Sequence, residues 1–392
     1  MQAQEILNKL RSLTDKLGQS HLVKGLNSEE EARTLLEALA KLPADLLQKQ
    51  RETLQPRSAD SSSIQPYNDY ILRSAIEIKP QHNLLGKVGY ILLAGGQGTR
   101  LGWKGPKALF PLFPENGKTL LDLHIENLRK SSSNLPIAIM CSPLNVDAIR
   151  AQLSPSENIE LFVQDLLPLL DPLGNWFLEG PGKLCQGPDG NGRVFHYLQR
   201  AGILPRWQKL GIEHIAILPI DNPLASRIDP TFIDFHYRCG CDVTTACILR
   251  DDPFEKVGVL ARQDDRPCVV EYSEIGHAER VAQQADGSLV YSLANINIFL
   301  FRMRLAKKLV DKDFLWHVAK KRASCFHASD CSIEEISAAK LETFLFDALG
   351  ETVRMPALVY KREEIYAPLK NATGEKSPET VRKSISRISV DR

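Results

Sequence analysis

Five short apolar runs constrain this chain more than anything else in its sequence. They are Val88–Ala94, Leu135–Cys141, Ile159–Val163, His214–Ile220 and Val243–Leu249, each bounded by Gly, Pro, Asn or Asp. Amphipathic stretches such as Leu120–Arg129 and Val194–Ala201 lie between them. A strand with one wet face alternates apolar and polar residues; these runs are almost continuously apolar, so both faces must be covered. Strand–helix alternation of this kind predicts an α/β fold built on a mostly parallel sheet. A second group, Val257–Ala261, Val269–Ile275, Leu289–Tyr291 and Ile296–Phe301, is more closely spaced and predicts hairpins added at the sheet edge. Ahead of the sheet, Ser28-Glu29-Glu30-Glu31 forms a capping box that opens a helix with Leu35, Leu36, Leu39 and Leu42 at helical spacing. Gln55 to Gln65, with Pro56 and Ser61-Ser62-Ser63, reads as an exposed connection, and the polar tail after Asn371 reads as loose. The expected organisation is an N-terminal helical segment 1–65, a central α/β domain 66–350 and a short C-terminal segment 351–392.

Charge and cysteine usage exclude several classes of function. The 49 Lys+Arg nearly cancel 48 Asp+Glu, leaving +1, which argues against a broad footprint for nucleic acid. No apolar run approaches the roughly 20 residues that cross a bilayer, and Met1-Gln2-Ala3-Gln4-Glu5 lacks the pattern of a signal peptide. The 8 cysteines form no CxxC pair and no Cys/His zinc spacing; Cys239-Gly240-Cys241 reads as small residues near a strand start. The expectation is a cytoplasmic protein with neither nucleic acid nor membrane as partner.

The chemistry starts at Ala94-Gly95-Gly96-Gln97-Gly98-Thr99-Arg100-Leu101-Gly102, directly after the first apolar run, with Pro106-Lys107 close behind. Glycines let the backbone turn and bring bare N–H groups against phosphate oxygens, while Arg100 and Lys107 add positive charge. A Rossmann fingerprint fails, because from Gly96 its last glycine falls on Leu101. A Walker A loop ending in Gly117-Lys118-Thr119 fails too, with Leu112 at its first glycine, so that triplet reads as a turn. The remaining pattern, G-G-x-G-T-R followed by P-K, is that of sugar-nucleotide pyrophosphorylases.

From about Asn83 to Asn371 the chain resembles the eukaryotic-type UDP-N-acetylhexosamine pyrophosphorylases, within the wider UTP:sugar-1-phosphate uridylyltransferase family. The resemblance is carried further by Phe162-Val163-Gln164, Gly187-Pro188-Asp189-Gly190-Asn191-Gly192, Ile220-Asp221-Asn222, Val257-Gly258-Val259, Val269 to Ile275, Lys340 to Asp347, and Pro368-Leu369-Lys370-Asn371. It implies a Rossmann-like, GT-A-like nucleotide-diphospho-sugar transferase sheet with N-terminal helices and a short C-terminal part, the central domain being catalytic. The implied reaction joins UTP and a sugar 1-phosphate into UDP-sugar and pyrophosphate. Because the attacking phosphate is already an anion, positioning and electrostatics carry the catalysis.

Residue by residue, the resemblance implies that Arg100, Lys107, Lys340 and Lys370 hold the reacting phosphates. Ala94, Gly95, Gly96, Gly98 and Thr99, with Gln164, Gly190 and Asn191, would contact the nucleotide; a side-chain amide matches the donor and acceptor of the uracil edge. Gly258, Glu271, Asn295, Phe344 and Phe346 would line the sugar pocket, although a spacing of two also fits both phenylalanines to one face of a strand or to core packing. Asp221, at the carboxyl end of an apolar run, would bind Mg²⁺, with Mn²⁺ as an alternative ion; Asp221-Asn222-Pro223 equally suits a helix cap or Asx turn. Two departures bear on the sugar. The family's N-I-x-N-H-F-F block stands here as Asn295-Ile296-Asn297-Ile298-Phe299-Leu300-Phe301, and Lys104-Gly105-Pro106-Lys107 is closer to UDP-glucose pyrophosphorylases. Pro188 to Gly192 and Val270 to Ile275 favour the hexosamine branch. UDP-N-acetylglucosamine is therefore the expected product, with UDP-glucose the alternative and a non-catalytic nucleotide-sugar sensor the alternative of another class. Relatives continue beyond the point matching Asn371, so a monomer is expected.

Overall fold

The computed structural model describes residues 2–55, 64–76, 82–154, 158–327 and 330–390. Ser61-Ser62-Ser63 and most of the connection expected around them lie outside the described residues. The chain forms two compact units. The smaller unites Met1–Ser61 with Asp165–Gly190 and Leu315–Thr343; the larger holds Ser62–Gln164, Asn191–Phe314 and Phe344–Arg392. Compactness thus groups the chain differently from a consecutive division at 65 and 350, because two segments from the middle pack with the N-terminal helices.

In the smaller unit, helices α1 (Gln2–Lys16), α2 (Glu29–Ala40) and α3 (Leu46–Leu54) surround an apolar core that includes Leu10, Leu35, Leu39 and Trp176. The Ser28 hydroxyl caps α2 by accepting from the Glu31 N–H. Trp176 is wholly buried and donates through Nε1 to Gln50 Oε1 at 2.7 Å, and Gln50 Nε2 in turn donates to the Pro168 carbonyl at 2.9 Å. A long antiparallel hairpin pairs His317–His327 with Ser332–Glu342.

The larger unit is built on a twisted sheet. Its strands are β1 (Tyr70–Leu72), β2 (Val88–Leu93), β3 (Ile137–Cys141), β4 (Ile159–Val163), β5 (His214–Pro219), β6 (Val243–Leu249), β7 (Val259–Gln263), β8 (Arg266–Val270), β9 (Leu293–Arg302) and β10 (Ala357–Tyr360). Their order is β1-β10-β6-β9-β5-β2-β3-β4, with every neighbouring pair parallel except the two made by β9. Strand alternation distributes side chains onto two cores. Ile91, Ala138, Met140, Ile215 and Ile217 face Phe195, Leu198, Leu204 and Trp207, whereas Tyr90, Leu92, Ile139, Ala216 and Leu218 face Leu121, Ile125, Leu128 and Phe232. Both faces are buried, which is why the runs carry almost no polar residue.

Three expectations are corrected here. Ile296–Phe301 does not add to an edge: it lies within β9, antiparallel between β5 and β6 at the centre of the sheet, where its apolar residues are covered on both faces. Only β7 and β8 form the expected hairpin, hung on β9 through Val259 opposite Ala294, and Leu289 makes a single bridge to Gln283 in place of a strand. The tail is no loose segment but helix Pro378–Val390, whose Val381 is buried beside Leu369, with Ile385 packed against the same cluster. Gly117-Lys118-Thr119 is structural, as its sequence indicated: Gly117 has φ +70°, and Thr119 caps the helix Leu120–Ser131, named α4 here, through Asp122.

Candidate active site

The glycine loop leaves the carboxyl end of β2 and folds onto itself. The Ala94 N–H donates to Met140 O at 2.9 Å, and its carbonyl accepts from Asn145 Nδ2 at 2.8 Å, so the loop starts from a fixed point. Gly98 N–H donates to Gly105 O at 3.0 Å, and Lys107 N–H closes the loop on Gly96 O at 3.2 Å. Trp103 fills the enclosed space: a Cβ on Gly98 would sit 2.7 Å from its Cδ1, and one on Gly105 2.8 Å from its Nε1. Gly95 is fixed by another neighbour, since a Cβ there would meet Gln164 Oε1 at 1.9 Å. Gln164, buried after β4, therefore lies against the loop. Gly96, Thr99 and Arg100 are exposed. Asn145 and Trp103 gave no sequence signal beyond a polar residue before a helix and an aromatic among glycines.

This fold returns Lys107 to the loop's base, half-buried. Its ammonium is held below the ordinary lysine range first by burial, then by the like charges of Arg100 and Lys370, while Asp221 opposes the shift. Asp221 is half-buried in the turn directly after β5. Lys370 arrives from far along the chain, and its segment is bonded to that same turn: Leu369 N–H donates to Asp221 O at 2.7 Å. Four of the residues named from sequence thus form one electrostatic group at the carboxyl ends of β2 and β5, where open α/β sheets bind ligands.

The residues expected to line a sugar pocket fall into two sets. Asn295 N–H donates to Gly258 O at 2.8 Å, and a Cβ on Gly258 would lie 3.1 Å from Glu271 Oε1, so these three are neighbours. Asn295 is buried and exchanges hydrogen bonds with Asn297 across a bulge in β9, Asn297 having φ +58°. Phe344 and Phe346 stack with centroids 4.9 Å apart. Phe346 is buried in the sheet's core and Phe344 packs on its margin. Asn191 Oδ1 accepts the Leu345 N–H at 2.9 Å and so fixes their turn.

Gly190 and Lys340 belong to the smaller unit. Gly190 has φ +93°, and a Cβ there would meet the Thr343 carbonyl at 2.1 Å, so only glycine fits. Lys340 crosses Gly187 and pairs with Glu342 Oε1 at 2.5 Å. The pairing was not legible in sequence, where Lys340 reads as an open phosphate contact.

Among the described residues, no group of three or more His, Cys, Asp or Glu side chains could hold a metal. Asp221 alone fits Mg²⁺, which takes one or two carboxylates beside phosphate oxygens and water, and fits a dedicated protein cage poorly.

A glycine loop, one carboxylate and three cations at the strand ends of a mostly parallel sheet define a nucleotide-sugar transferase class of α/β protein. Its fold is similar to the uridine diphosphate N-acetylglucosamine pyrophosphorylase of Trypanosoma brucei, with a TM-score of 0.79, 24% identity, and coverage of 98% of this chain and 84% of that one. The profile of the UTP–glucose-1-phosphate uridylyltransferase family matches residues 41–373, and the chain belongs to that family. It is 32% identical to the UDP-N-acetylglucosamine pyrophosphorylase of Saccharomyces cerevisiae, covering 76% of this chain and 68% of that protein. Against the human UDP-N-acetylhexosamine pyrophosphorylase-like protein 1 the identity is 33%, covering 77% and 64%. The chain thus spans about two thirds of the length of these relatives.

Proposed function

We propose that this protein is a UTP-dependent uridylyltransferase that forms UDP-N-acetylglucosamine and pyrophosphate from UTP and N-acetylglucosamine 1-phosphate. The observation that carries this is the convergence of Arg100, Lys370 and Asp221 on Lys107. Burial and two like charges make the Lys107 ammonium unfavourable as it stands. A polyanion entering the group relieves that cost, so the cations are preorganised for phosphate before it binds. The sugar-phosphate oxygen attacks the α-phosphorus, a new P–O bond forms, and the bond to the β-phosphate oxygen breaks. Arg100, Lys107 and Lys370 meet the charge that moves onto pyrophosphate. Asp221 would hold Mg²⁺ or Mn²⁺, which would supply positive charge against the reacting phosphates.

The N-acetylated sugar is supported by the names of the relatives above and by the close set of Gly258, Glu271 and Asn295. A cytoplasmic setting is supported by eight cysteines that all stand as free thiols. The test is pyrophosphate release from UTP and Mg²⁺ with N-acetylglucosamine, N-acetylgalactosamine, glucose or galactose 1-phosphate offered separately. Preference for N-acetylglucosamine 1-phosphate is expected. Preference for glucose 1-phosphate would overturn the sugar but not the chemistry, and silence with all four in folded protein would overturn the activity.

A further inference from the structure

We infer that Asn222 is a positioning residue that sets Lys370 among the phosphate-binding groups; the inference rests on the assignment of Lys370 under the proposed function. Residues 366–371 have no regular secondary structure; the Lys370 and Asn371 N–H groups donate to Lys376 O at 2.7 and 3.1 Å, which closes a local loop but does not tie it to the sheet. What ties it there is the turn after β5. Asn222 Nδ2 donates to Ile365 O at 2.7 Å, Asn222 Oδ1 accepts from Ala367 N–H at 3.0 Å, and Asp221 O accepts from Leu369 N–H at 2.7 Å. The bonded residues alternate along the segment, and Pro368, which has no N–H, falls between two of them. A carboxamide presents one donor and one acceptor, as a peptide unit does, so Asn222 serves the segment as one rung of a neighbouring strand.

Asn222 is 1% exposed and Leu369 is wholly buried, so Asn222 cannot reach substrate and acts only through what it holds. The partners lie 143 and 145 residues away in sequence. Two consecutive residues, Asp221 and Asn222, therefore carry both the carboxylate of the site and the anchor of its most distant cation. Aspartate cannot replace the amide, because Ile365 O needs a donor and a carboxylate would present only acceptors.

The test is a double-mutant comparison of Asn222→Ala, Asn222→Asp and Lys370→Ala, with turnover, KM for UTP and inhibition by pyrophosphate measured for each. A displacement of roughly 1 Å at a catalytic group costs about 10²-fold, and both Asn222 variants are expected to lower kcat by about that factor and to weaken pyrophosphate inhibition. Added to Lys370→Ala, either should cost less than about twofold more, since the group it positions is already gone. Hydrogen exchange should quicken at the amides of Ala367 and Leu369. Asn222→Asp keeps the side chain's size and covers the case in which the alanine variant does not fold. Unaltered turnover in folded Asn222→Asp overturns the inference, as does a full further loss when it is combined with Lys370→Ala. An unaltered rate in Lys370→Ala alone overturns the assignment of Lys370 itself, and the inference falls with it.

Discussion

The two ends of strand β5 use polar residues in opposite ways. At its amino end His214 is buried and its Nδ1 lies 3.0 Å from Nε2 of His236, whose Nδ1 lies 2.9 Å from the Thr244 hydroxyl. Burial pushes His214 down to about 4, with Arg302 and Lys87 acting the same way and Glu213 opposing. His236 is pushed down as well, by burial and then by His214 and Arg302. Both rings are pushed towards the neutral form and bond to one another and to Thr244, while His214 Nε2 is buried without a hydrogen-bond partner. At the carboxyl end, one strand length away, like charges are gathered and Lys107 is left unfavourable. The first end buries rings that are pushed neutral and the second gathers charge, as the proposed anion-binding role would use.

Substitutions at the two ends should therefore separate activity from stability. Arg100→Ala should lower kcat by about 10²–10³-fold while the urea midpoint stays where it was, because Arg100 is exposed. A wild-type rate would remove Arg100 from the site. His236→Ala should do the reverse. It deletes a buried ring and strands His214 and Thr244, costing about 3 kcal/mol, with kcat per folded molecule unchanged. A fall in kcat at full folding would merge the two ends into one functional unit.

Acid gives a milder test of the amino end. An unfolded histidine titrates near 6.5 whereas His214 is held at about 4, so between those values the unfolded chain binds more protons. Stability should thus be full above pH 6.5 and fall as pH drops towards 4, by up to about 3 kcal/mol from His214. A urea midpoint that is flat from pH 7 to pH 5 would contradict it. The smallest effect should come from Lys118→Ala, which removes a half-exposed ion pair to Glu126 at 2.9 Å. No more than about 1 kcal/mol and no change in turnover are expected, and a large loss of activity would show that Gly117-Lys118-Thr119 handles phosphate after all.

The parts of the molecule that were legible in sequence are those with one physical explanation. A continuous apolar run needs two covered faces, and all five such runs are strands of the central sheet. The central place of β9 was missed because its nearness in sequence to β7 and β8 suggested an edge, although its ten residues Leu293–Arg302 are as apolar as the buried strands. The C-terminal helix carried a signal too, with Val381, Ile385 and Ile388 at helical spacing among many charges. Arg100, Lys107, Asp221 and Lys370 stand out in sequence because their types and neighbours match a phosphate-handling pattern, and the fold groups them around Lys107. Asn222, Asn145 and Glu342 were not: an asparagine beside a turn looks the same whether it caps its own backbone or anchors a segment 145 residues away.

The sheet's outer strand has a consequence for how the protein is made. Among the described residues β1 pairs with β10 alone, and nearby the Tyr67 hydroxyl bonds to Met355 O across 288 residues. At about 5–20 residues per second, a ribosome takes roughly 15–60 s to supply that partner. Throughout that interval Tyr70-Ile71-Leu72 is an apolar strand without its neighbour. A chain released before Ala357 should therefore aggregate, and nascent chains stalled there should be held by chaperones that the finished protein no longer binds.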